Sequence, residues 1–532
     1  MAQQPAGDIR DARVVVEKDK LIRLRHVPRR FNSIVLDFPQ PRPLQVNFNL
    51  PDVADSLPPL QVLVRPRMMK DLPLDKFYGL LAKIGYGNYQ SPYIMLNAGT
   101  KRNDEYMLNA DFLHYSSGKG PVLDNASAAG ITRFGINGIY FFNKLTLDAR
   151  VDYRYQLNSI YGYNEALLLD SLLDFTVPRQ KLNKFALQVK LIENNLKNDW
   201  DYRAAFALRY MATNFAASEL SYQVDGRVRG GLDNWQFNTT FDFTGYQQNR
   251  ADSARIGRIY ARLQPVAGYH LDKLYLEGGV NVVYENDPLS NGGQVRLFPV
   301  AAATYRWLEQ HSIKAALYGG VEKQALYDLY EQNPWLEQNV AVNANINNLS
   351  AKLEARGLLA AQFGYKFTYT YSRYSRMLFF LNNQADSARF DLVYDRGGVT
   401  LNRLALRLDY PLADYLSISA MGAYNAYRTT DVAEAWHRPQ TEAEVSSTFR
   451  IFDKLDGKVS YFMLLGIKAR TTAGTAVTLN PVHDLNFGLN LHLTDKAAVF
   501  VDMMNILGSN YQLYNNYPVK GFQVIGGFSY KL

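Results

Sequence analysis

The sequence predicts an all-β protein: a transmembrane antiparallel β-barrel of about 22 strands, closed by its C-terminal strand. Three observations lead to this prediction. Apolar and polar residues alternate over long stretches from about residue 76 onward, short polar turns alternate with longer polar loops, and the alternation continues to the final residue, Leu532. Because successive side chains of a strand point to opposite faces, each of these stretches has one apolar and one polar side.

The first 75 residues differ from the rest of the chain. They hold about half of the 21 prolines, in runs such as "DFPQPRP", and "RLRHVPRRF" makes them basic. Proline removes a backbone donor and restricts φ, so residues 1–75 are predicted to be a largely extended periplasmic arm, and 76–532 the transmembrane barrel. The start, "MAQQPAGDIRD", lacks the apolar segment of a signal peptide, so we expect a secreted chain whose signal peptide is absent from this sequence.

The stretch "KLTLDARVDYRYQL" shows the strand pattern most clearly. One face carries Leu, Ala, Val and Tyr, and the other carries the alternating charges of Asp148, Arg150, Asp152 and Arg154. Strict alternation over this length favours a strand over a helix. The four charged residues are candidates for the wall of a polar lumen, where they either line a pathway or brace neighbouring strands.

Two further stretches add candidates to this lumen-facing set. "WQFNTTFDFTGY" opposes Trp and Phe to a polar face that includes Asp242, and "LNFGLNLHL" opposes leucines to Asn490 and His492. A soluble β-sandwich would alternate in the same way. However, these strands often exceed the ~9–11 residues that cross a bilayer, whereas soluble strands centre on about 5–6. Charges of both signs on the polar faces also suit a wet lumen, which favours the barrel.

The last eleven residues, "FQVIGGFSYKL", predict the strand that closes the barrel. A barrel has no free edge, so its last strand pairs with its first. The lipid-facing set is Phe522, Val524, Phe528, Tyr530 and Leu532, and Gln523, Ser529 and Lys531 are expected to face the lumen. Candidate strands number about 20 to 23, and bacterial barrels usually have even numbers, which gives about 22.

Composition excludes several classes of function. The chain has no Cys, and its net charge of +8 comes from interleaved charges rather than a dense basic face, so we expect no nucleic-acid partner. The seven histidines show no metal-ligand spacing. "HYSSGKGP" lacks the residue spacing of a phosphate-binding loop. His114, Ser116 and Ser117 are residue types found in hydrolase active sites, but nothing in the sequence places them in a catalytic geometry. No catalytic, cofactor or metal site is predicted, and the chain is not expected to be an enzyme.

The C-terminal third resembles TonB-dependent receptors. "LNFGLNLHLTDKAAVFVDMMNILGSNYQLYNNYPVKGFQVIGGFSYKL" is similar to their last strands, with Leu532 in place of the usual Phe. "YEQNPWLEQN" looks like a loop of the family, and "LVYDRGGVTLNRLALRLDYPLADYLSISAMGAYN" like its late hairpins. Neither a plug domain nor a TonB box is evident, so the resemblance implies a plugless relative.

The resemblance implies transport across the outer membrane of a Gram-negative bacterium, as a plugless conduit or receptor. The alternative is a scaffold subunit of an outer-membrane protein assembly or secretion machine. The expected partners are outer-membrane lipid and periplasmic or outer-membrane proteins that bind the N-terminal arm. We also expect the longer loops and the arm to occlude the wide lumen in part.

Overall fold

The computed structural model describes residues 79–100, 103, 105–163, 177–193, 199–290, 292–359, 362–452, 454–471 and 474–532. The predicted arm, residues 1–75, lies outside the described residues, and so do the first residues assigned to the barrel, 76–78. In the described part of the chain, no helix has the length and apolar character needed to cross a membrane.

The described residues form a closed antiparallel barrel of 22 strands, which confirms the predicted fold class. Each strand pairs with the one before it along the wall. The barrel strands are β1 (Leu80–Gly87), β2 (Ser91–Gly99), β3 (Tyr106–Ser117), β4 (Ala129–Phe141), β5 (Leu145–Ser159), β6 (Arg179–Glu193), β7 (Trp200–Thr213), β8 (Ser218–Leu232), β9 (Trp235–Asn249), β10 (Arg255–Leu271), β11 (Leu274–Glu285), β12 (Gln294–Leu308), β13 (His311–Glu322), β14 (Asn345–Leu359), β15 (Phe363–Asn382), β17 (Val399–Ala413), β18 (Leu416–Arg428), β19 (Thr441–Ile451), β20 (Leu455–Leu465), β23 (Val482–His492), β24 (Ala497–Met504) and β27 (Gln523–Lys531).

Shorter elements lie in the connections between barrel strands. They include two 3-10 helices, Asp124–Ser127 and Pro288–Ser290, the α-helix α1 (Leu326–Gln332) and the strand β16 (Phe390–Asp395), which pairs with the end of β15. Two small hairpins also lie there, β21 (Lys468–Arg470) with β22 (Ala476–Thr478) and β25 (Gln512–Tyr514) with β26 (Tyr517–Pro518).

The C-terminal strand closes the barrel as predicted. β27 pairs with β1 on one side and β24 on the other. The backbones of Leu80 and Leu532 exchange hydrogen bonds of 3.1 and 2.9 Å at the end of this joint. Val524, Phe528 and Tyr530 lie within β27, whereas Phe522 and Leu532 lie immediately outside its two ends.

The outer face of the barrel is a continuous apolar surface. Tyr153, Phe185 and Tyr210 lie side by side on β5, β6 and β7, and all three are exposed. Large apolar side chains are exposed at equivalent positions on strands around the wall. An exposed apolar surface of this extent is unstable in water, and a lipid bilayer is the environment that covers it.

The two ends of the barrel differ. At one end, here called the turn end, strands are joined by tight connections such as 233–234, 272–273 and 414–415, and both β1 and β27 have their outer termini there. The opposite end, the loop end, carries the long connections. Four of these, 323–344, 383–398, 429–440 and 505–522, fold together into what we call the cap.

The cap contains the main apolar core of the protein. Its buried residues come from the cap segments, from the end of β15 and from the inner face of β6 and β7. They are Leu182, Met211, Leu326, Leu329, Tyr330, Leu336, Val340, Val342, Leu378, Phe380, Phe390, Tyr514 and Tyr517. Because Leu182 and Met211 belong to the wall, this core attaches the cap to the inside of the barrel.

Candidate functional site

Helix α1 of the cap packs against the inner wall of the barrel. Leu326, Leu329 and Tyr330 are fully buried, and their i, i+3, i+4 spacing places them on one helix face. The residue before the helix, Ala325, has no side chain that can satisfy a free amide. Instead, the Leu326 N–H donates to a carboxylate oxygen of Glu219 on β8, at 2.6 Å. The barrel wall therefore supplies the acceptor that a helix normally obtains from its own N-cap.

Glu219 forms a buried ion pair with Arg258 of β10. The Arg258 guanidinium donates to the second Glu219 oxygen at 2.8 Å, and only 2% and 1% of the two side chains are exposed. Arg258 also donates to the Gln324 carbonyl at 3.0 Å and lies 4.3 Å from the centre of the Tyr246 ring. This pair thus holds the backbone at the start of α1 from two neighbouring positions.

Three more basic residues of the wall contact the body of α1. Arg154 on β5 donates to Glu331 at 2.6 Å. Lys184 on β6 donates to the Tyr327 carbonyl at 2.6 Å and lies 3.4 Å from Glu331. On β7, Arg209 pairs with Asp328 at 3.4 Å, in a more exposed contact.

Lys323, at the start of the cap, completes this set of contacts. Its ammonium group donates to both carboxylate oxygens of Asp242 on β9, at 2.7 and 2.8 Å, and to the Thr244 hydroxyl. Burial lowers the pKa of Lys323, and the Asp242 carboxylate opposes that shift. The segment 323–331 is therefore held by charged side chains from six consecutive strands, β5 to β10.

The other end of the same segment is held by a second buried network. Arg376 of β15 donates to Asp287 at 2.6 Å and to the Ala344 carbonyl at 2.6 Å, and the Ala344 N–H donates to Asp287 at 2.6 Å. Burial raises the pKa of Asp287, although Arg258 and Arg376 both favour its charged form. The segment 323–344 is thus anchored at both ends.

Aromatic stacking joins the cap segments to each other. Trp335 stacks on Tyr517 with ring centres 3.7 Å apart, and Tyr161 meets both rings edge-on. The Trp335 indole N–H donates to the Ser159 carbonyl at 3.0 Å, and the Tyr514 hydroxyl donates to the Gln332 carbonyl at 2.8 Å. These contacts connect the segments 323–344 and 505–522 to the end of β5.

His437, in the cap segment 429–440, is buried between the end of β15 and the cap segment 505–522. Its Nδ1 lies 2.9 Å from the Phe380 carbonyl, and its Nε2 lies 3.3 Å from the Asn515 N–H. A carbonyl only accepts and an amide N–H only donates, so this arrangement requires a neutral ring with the proton on Nδ1. Burial lowers the pKa of His437 to about 4, which is consistent with the neutral form.

The predicted charge ladder on β5 is engaged in ion pairs and hydrogen bonds. Arg150 donates to Asp152 at 2.7 Å and to Asp111 at 2.9 Å. Asp148 accepts from Asn137 at 2.6 Å. Arg154, the fourth member, contacts the cap rather than its neighbours. The ladder thus divides into three bracing residues near the turn end and one cap contact.

The other predicted lumen residues lie in two regions. Asp242 is at the cap, where it binds Lys323. Asn490 and His492 are on β23 toward the turn end: Asn490 accepts from Lys83 at 3.4 Å, and His492 lies 2.8 Å from Asp456. Asp456 also accepts from Arg450 at 2.8 Å. The structure therefore does not bring the predicted residues together into one site.

Sequence reasoning missed Lys184, Glu219 and Arg258, which hold the cap. Each has the parity of a lumen-facing residue, but nothing in the sequence shows how neighbouring strands are shifted against each other. One signal was present in the cap itself, where Leu326, Leu329 and Tyr330 repeat with helical spacing in a chain of strands.

Across the part of the chain that the structure describes, no three His, Asp or Glu side chains are close enough to hold a metal ion.

Comparison with known proteins gives similarity in structure only. No protein-family model matches the chain, and no curated protein sequence matches it. The FrpB iron transporter from Neisseria meningitidis (F3-3 variant) matches with a TM-score of 0.67 at 12% identity, over 86% of this chain and 82% of that one. The siderophore receptor PiuA from Acinetobacter baumannii matches with a TM-score of 0.63 at 10% identity, over 86% and 82%.

A third match is the ferric-catecholate import receptor Fiu from E. coli K12, with a TM-score of 0.64 at 8% identity over 86% of this chain and 82% of that chain. At these identities the similarity shows the fold. The chain has the fold of TonB-dependent receptor barrels, as the resemblance of its C-terminal third implied.

Proposed function

We propose that this protein acts in transport across the outer membrane of a Gram-negative bacterium, as a plugless conduit or receptor that is gated by its cap. The observation that carries the proposal is the attachment of residues 323–331 to the inside of six consecutive strands. A segment held there lies in the path of any molecule that enters from the loop end. Its charged contacts with the wall are ion pairs and hydrogen bonds, which can exchange with a ligand or water.

The proposed orientation places the loop end outside the cell. Outer-membrane barrels have short periplasmic turns and longer extracellular loops. The turn end, with the outer termini of β1 and β27, then faces the periplasm, where the predicted arm of residues 1–75 is available to protein partners. The iron and siderophore receptors that share the fold support transport as the class of function.

The second candidate function is a scaffold subunit of an outer-membrane assembly or secretion machine. The buried Glu219–Arg258 pair favours this alternative, because separating a fully buried ion pair is costly and would keep the cap closed. In that case the barrel serves as a membrane anchor, and the arm recruits the working partner.

Conductance through planar bilayers separates the two functions. For the conduit, we expect small, irregular steps in wild type, larger steps when the cap is loosened by Glu219→Ala, and altered ion selectivity for Arg150→Glu or Arg154→Glu. Large, stable wild-type channels would contradict a cap that gates the lumen. Silence in every variant, together with a partner that co-purifies in equal amount, would reject transport and support the scaffold.

A further inference from the structure

Charged residues on the lipid-facing side of the barrel wall follow a one-sided pattern. Every second residue of a strand points outward, so an exposed apolar side chain identifies the outward positions of its strand. The side chains used here are Phe185 on β6, Ile259 on β10, Tyr369 on β15 and Tyr424 on β18. At the loop end, these outward positions carry five exposed basic residues: Arg179, Lys181, Arg255, Arg373 and Arg428. We call this set the basic rim.

The basic rim contains no opposite charge. Along the described barrel strands, no Asp or Glu occupies an outward position at the loop end, and the one outward acidic residue, Glu193, lies at the turn end of β6. A surface selected only for solubility would mix both signs. Five cations without a counter-charge indicate that negative charge comes from the surroundings.

The rim residues also differ from the inward-facing cations in their partners. Lys184, Arg258 and Arg376 each contact a carboxylate of the protein. Among the described residues, no carboxylate lies within ion-pair distance of any rim residue. Within the same described ranges, the one hydrogen bond of a rim side chain runs from Arg179 to the Asn125 carbonyl, at 3.4 Å. Within the described part of the chain, no protein carboxylate therefore competes with an external anion for Arg373 or Arg428.

Two rim residues form a defined row across three neighbouring strands. Arg373 of β15 lies directly opposite Thr400 of β17, and Thr400 lies directly opposite Arg428 of β18. With strands about 4.8 Å apart, the two arginine Cα atoms are about 10 Å apart, so both guanidinium groups can reach one phosphate. The Thr400 hydroxyl between them is an additional donor.

The surface beneath this row is apolar. One step further toward the turn end, Tyr369 donates to Asn402 at 2.8 Å, and Leu404 and Tyr424 are exposed beside it. The order from loop end to mid-wall is thus guanidinium, hydroxyl and amide, then aromatic and aliphatic surface. A molecule that fits this order has a phosphate headgroup above acyl chains.

We propose that the row Arg373–Thr400–Arg428 binds the phosphate headgroup of a lipid in the outer leaflet, with the acyl chains lying on the apolar surface below. The proposal does not rest on transport, since a scaffold in the same membrane would present the same row. It assigns a binding site for a phosphate-bearing lipid to this side of the barrel, β15 to β18.

Native mass spectrometry of the detergent-purified chain tests the proposal. The probes are a diphosphorylated lipid A, a phosphate-free glycolipid of matched acyl content, and inorganic phosphate. We expect wild type to bind the diphosphorylated lipid at least tenfold more tightly than the phosphate-free one. The double variant Arg373→Gln/Arg428→Gln should lose at least tenfold in affinity, and Arg373→Lys/Arg428→Lys should recover part of it.

The control variant is Arg407→Gln, on the inward side of β17, where Arg407 pairs with Asp409 at 2.8 Å. It should bind the lipid like wild type, and all variants should retain the heat-modifiable gel mobility of a folded barrel. Equal affinity of wild type and the double variant would overturn the proposal. So would equal binding of the phosphate-free lipid, or saturation of the row by inorganic phosphate alone.

Discussion

The substitution Glu219→Ala removes the carboxylate that joins the barrel wall to the cap. Glu219 accepts from the first amide of helix α1 and from Arg258. After the substitution, the remaining carboxylate near Arg258 is Asp287, at 4.0 Å, and the Leu326 N–H loses its acceptor. We expect the cap segment 323–344 to detach from the wall more often while the barrel itself remains folded.

The size of the effect follows from burial. Removing one partner of a buried ion pair destabilises by about 3–5 kcal/mol, because the other charge stays buried without compensation. At about 1.4 kcal/mol per factor of ten, the lower value raises the detached population about 100-fold. The matched control is Arg209→Ala, which removes a more exposed contact to the same helix. Exposed pairs contribute about 0–1 kcal/mol, so its effect should not exceed about fivefold.

Hydrogen–deuterium exchange measured by mass spectrometry reports this population directly. In the protein reconstituted in nanodiscs, amides of 323–344 should exchange about 100-fold faster in Glu219→Ala, while amides of the β5–β6 wall should keep their rates. If the cap amides of Glu219→Ala exchange no faster than those of Arg209→Ala, the buried pair does not hold the cap. If wall amides accelerate equally, the pair stabilises the barrel and not the cap.

Three further predictions concern the wall, the cap and the arm. Leu489 faces lipid, so Leu489→Arg should destabilise the folded barrel by about 2–4 kcal/mol in a vesicle refolding assay. Asn490→Asp, which places a carboxylate beside Lys83, should have only a small effect on stability. Equal effects of the two substitutions would contradict the assigned faces. The cap should lose about 3 kcal/mol of stability as pH falls from about 6.5 to 4, since unfolded His437 takes up a proton before the folded form does. His437→Asn should remove this slope in cap exchange rates, and an unchanged slope would exclude His437 as its source. Deleting residues 2–70 should leave a heat-modifiable barrel on a gel, because β1 begins at Leu80; loss of the folded band would show that the arm braces the barrel.

The fold could be predicted because its main signals are local. The alternation in β5 and β27 depends only on which side of one strand meets lipid, and it needs no knowledge of neighbouring strands. The number of strands follows from counting such stretches between turns. Closure follows from the physical requirement that a membrane sheet has no free edge.

The contacts of the candidate site could not be predicted because they depend on register and on distant chain segments. Arg154 was identified as one rung of a ladder, yet its partner, Glu331, lies 177 residues away in the cap. Likewise, Asn490 faces the lumen side by parity, but its neighbour Lys83 is 407 residues away. Alternation reveals the face of a side chain and not its height along the wall.

The joint between β1 and β27 also bears on the order of folding. Asn88 and Val524, which are hydrogen-bonded at this joint, are 436 residues apart in the chain, so the joint cannot form until the chain has been synthesised past Val524. The cap, in contrast, binds Arg154 and Glu219, which precede it by 177 and 107 residues. Contacts between nearer segments close smaller loops and form earlier. We therefore expect helix α1 to dock on an open sheet, and the wall to close around it afterwards. That order avoids threading a folded segment into a finished ring.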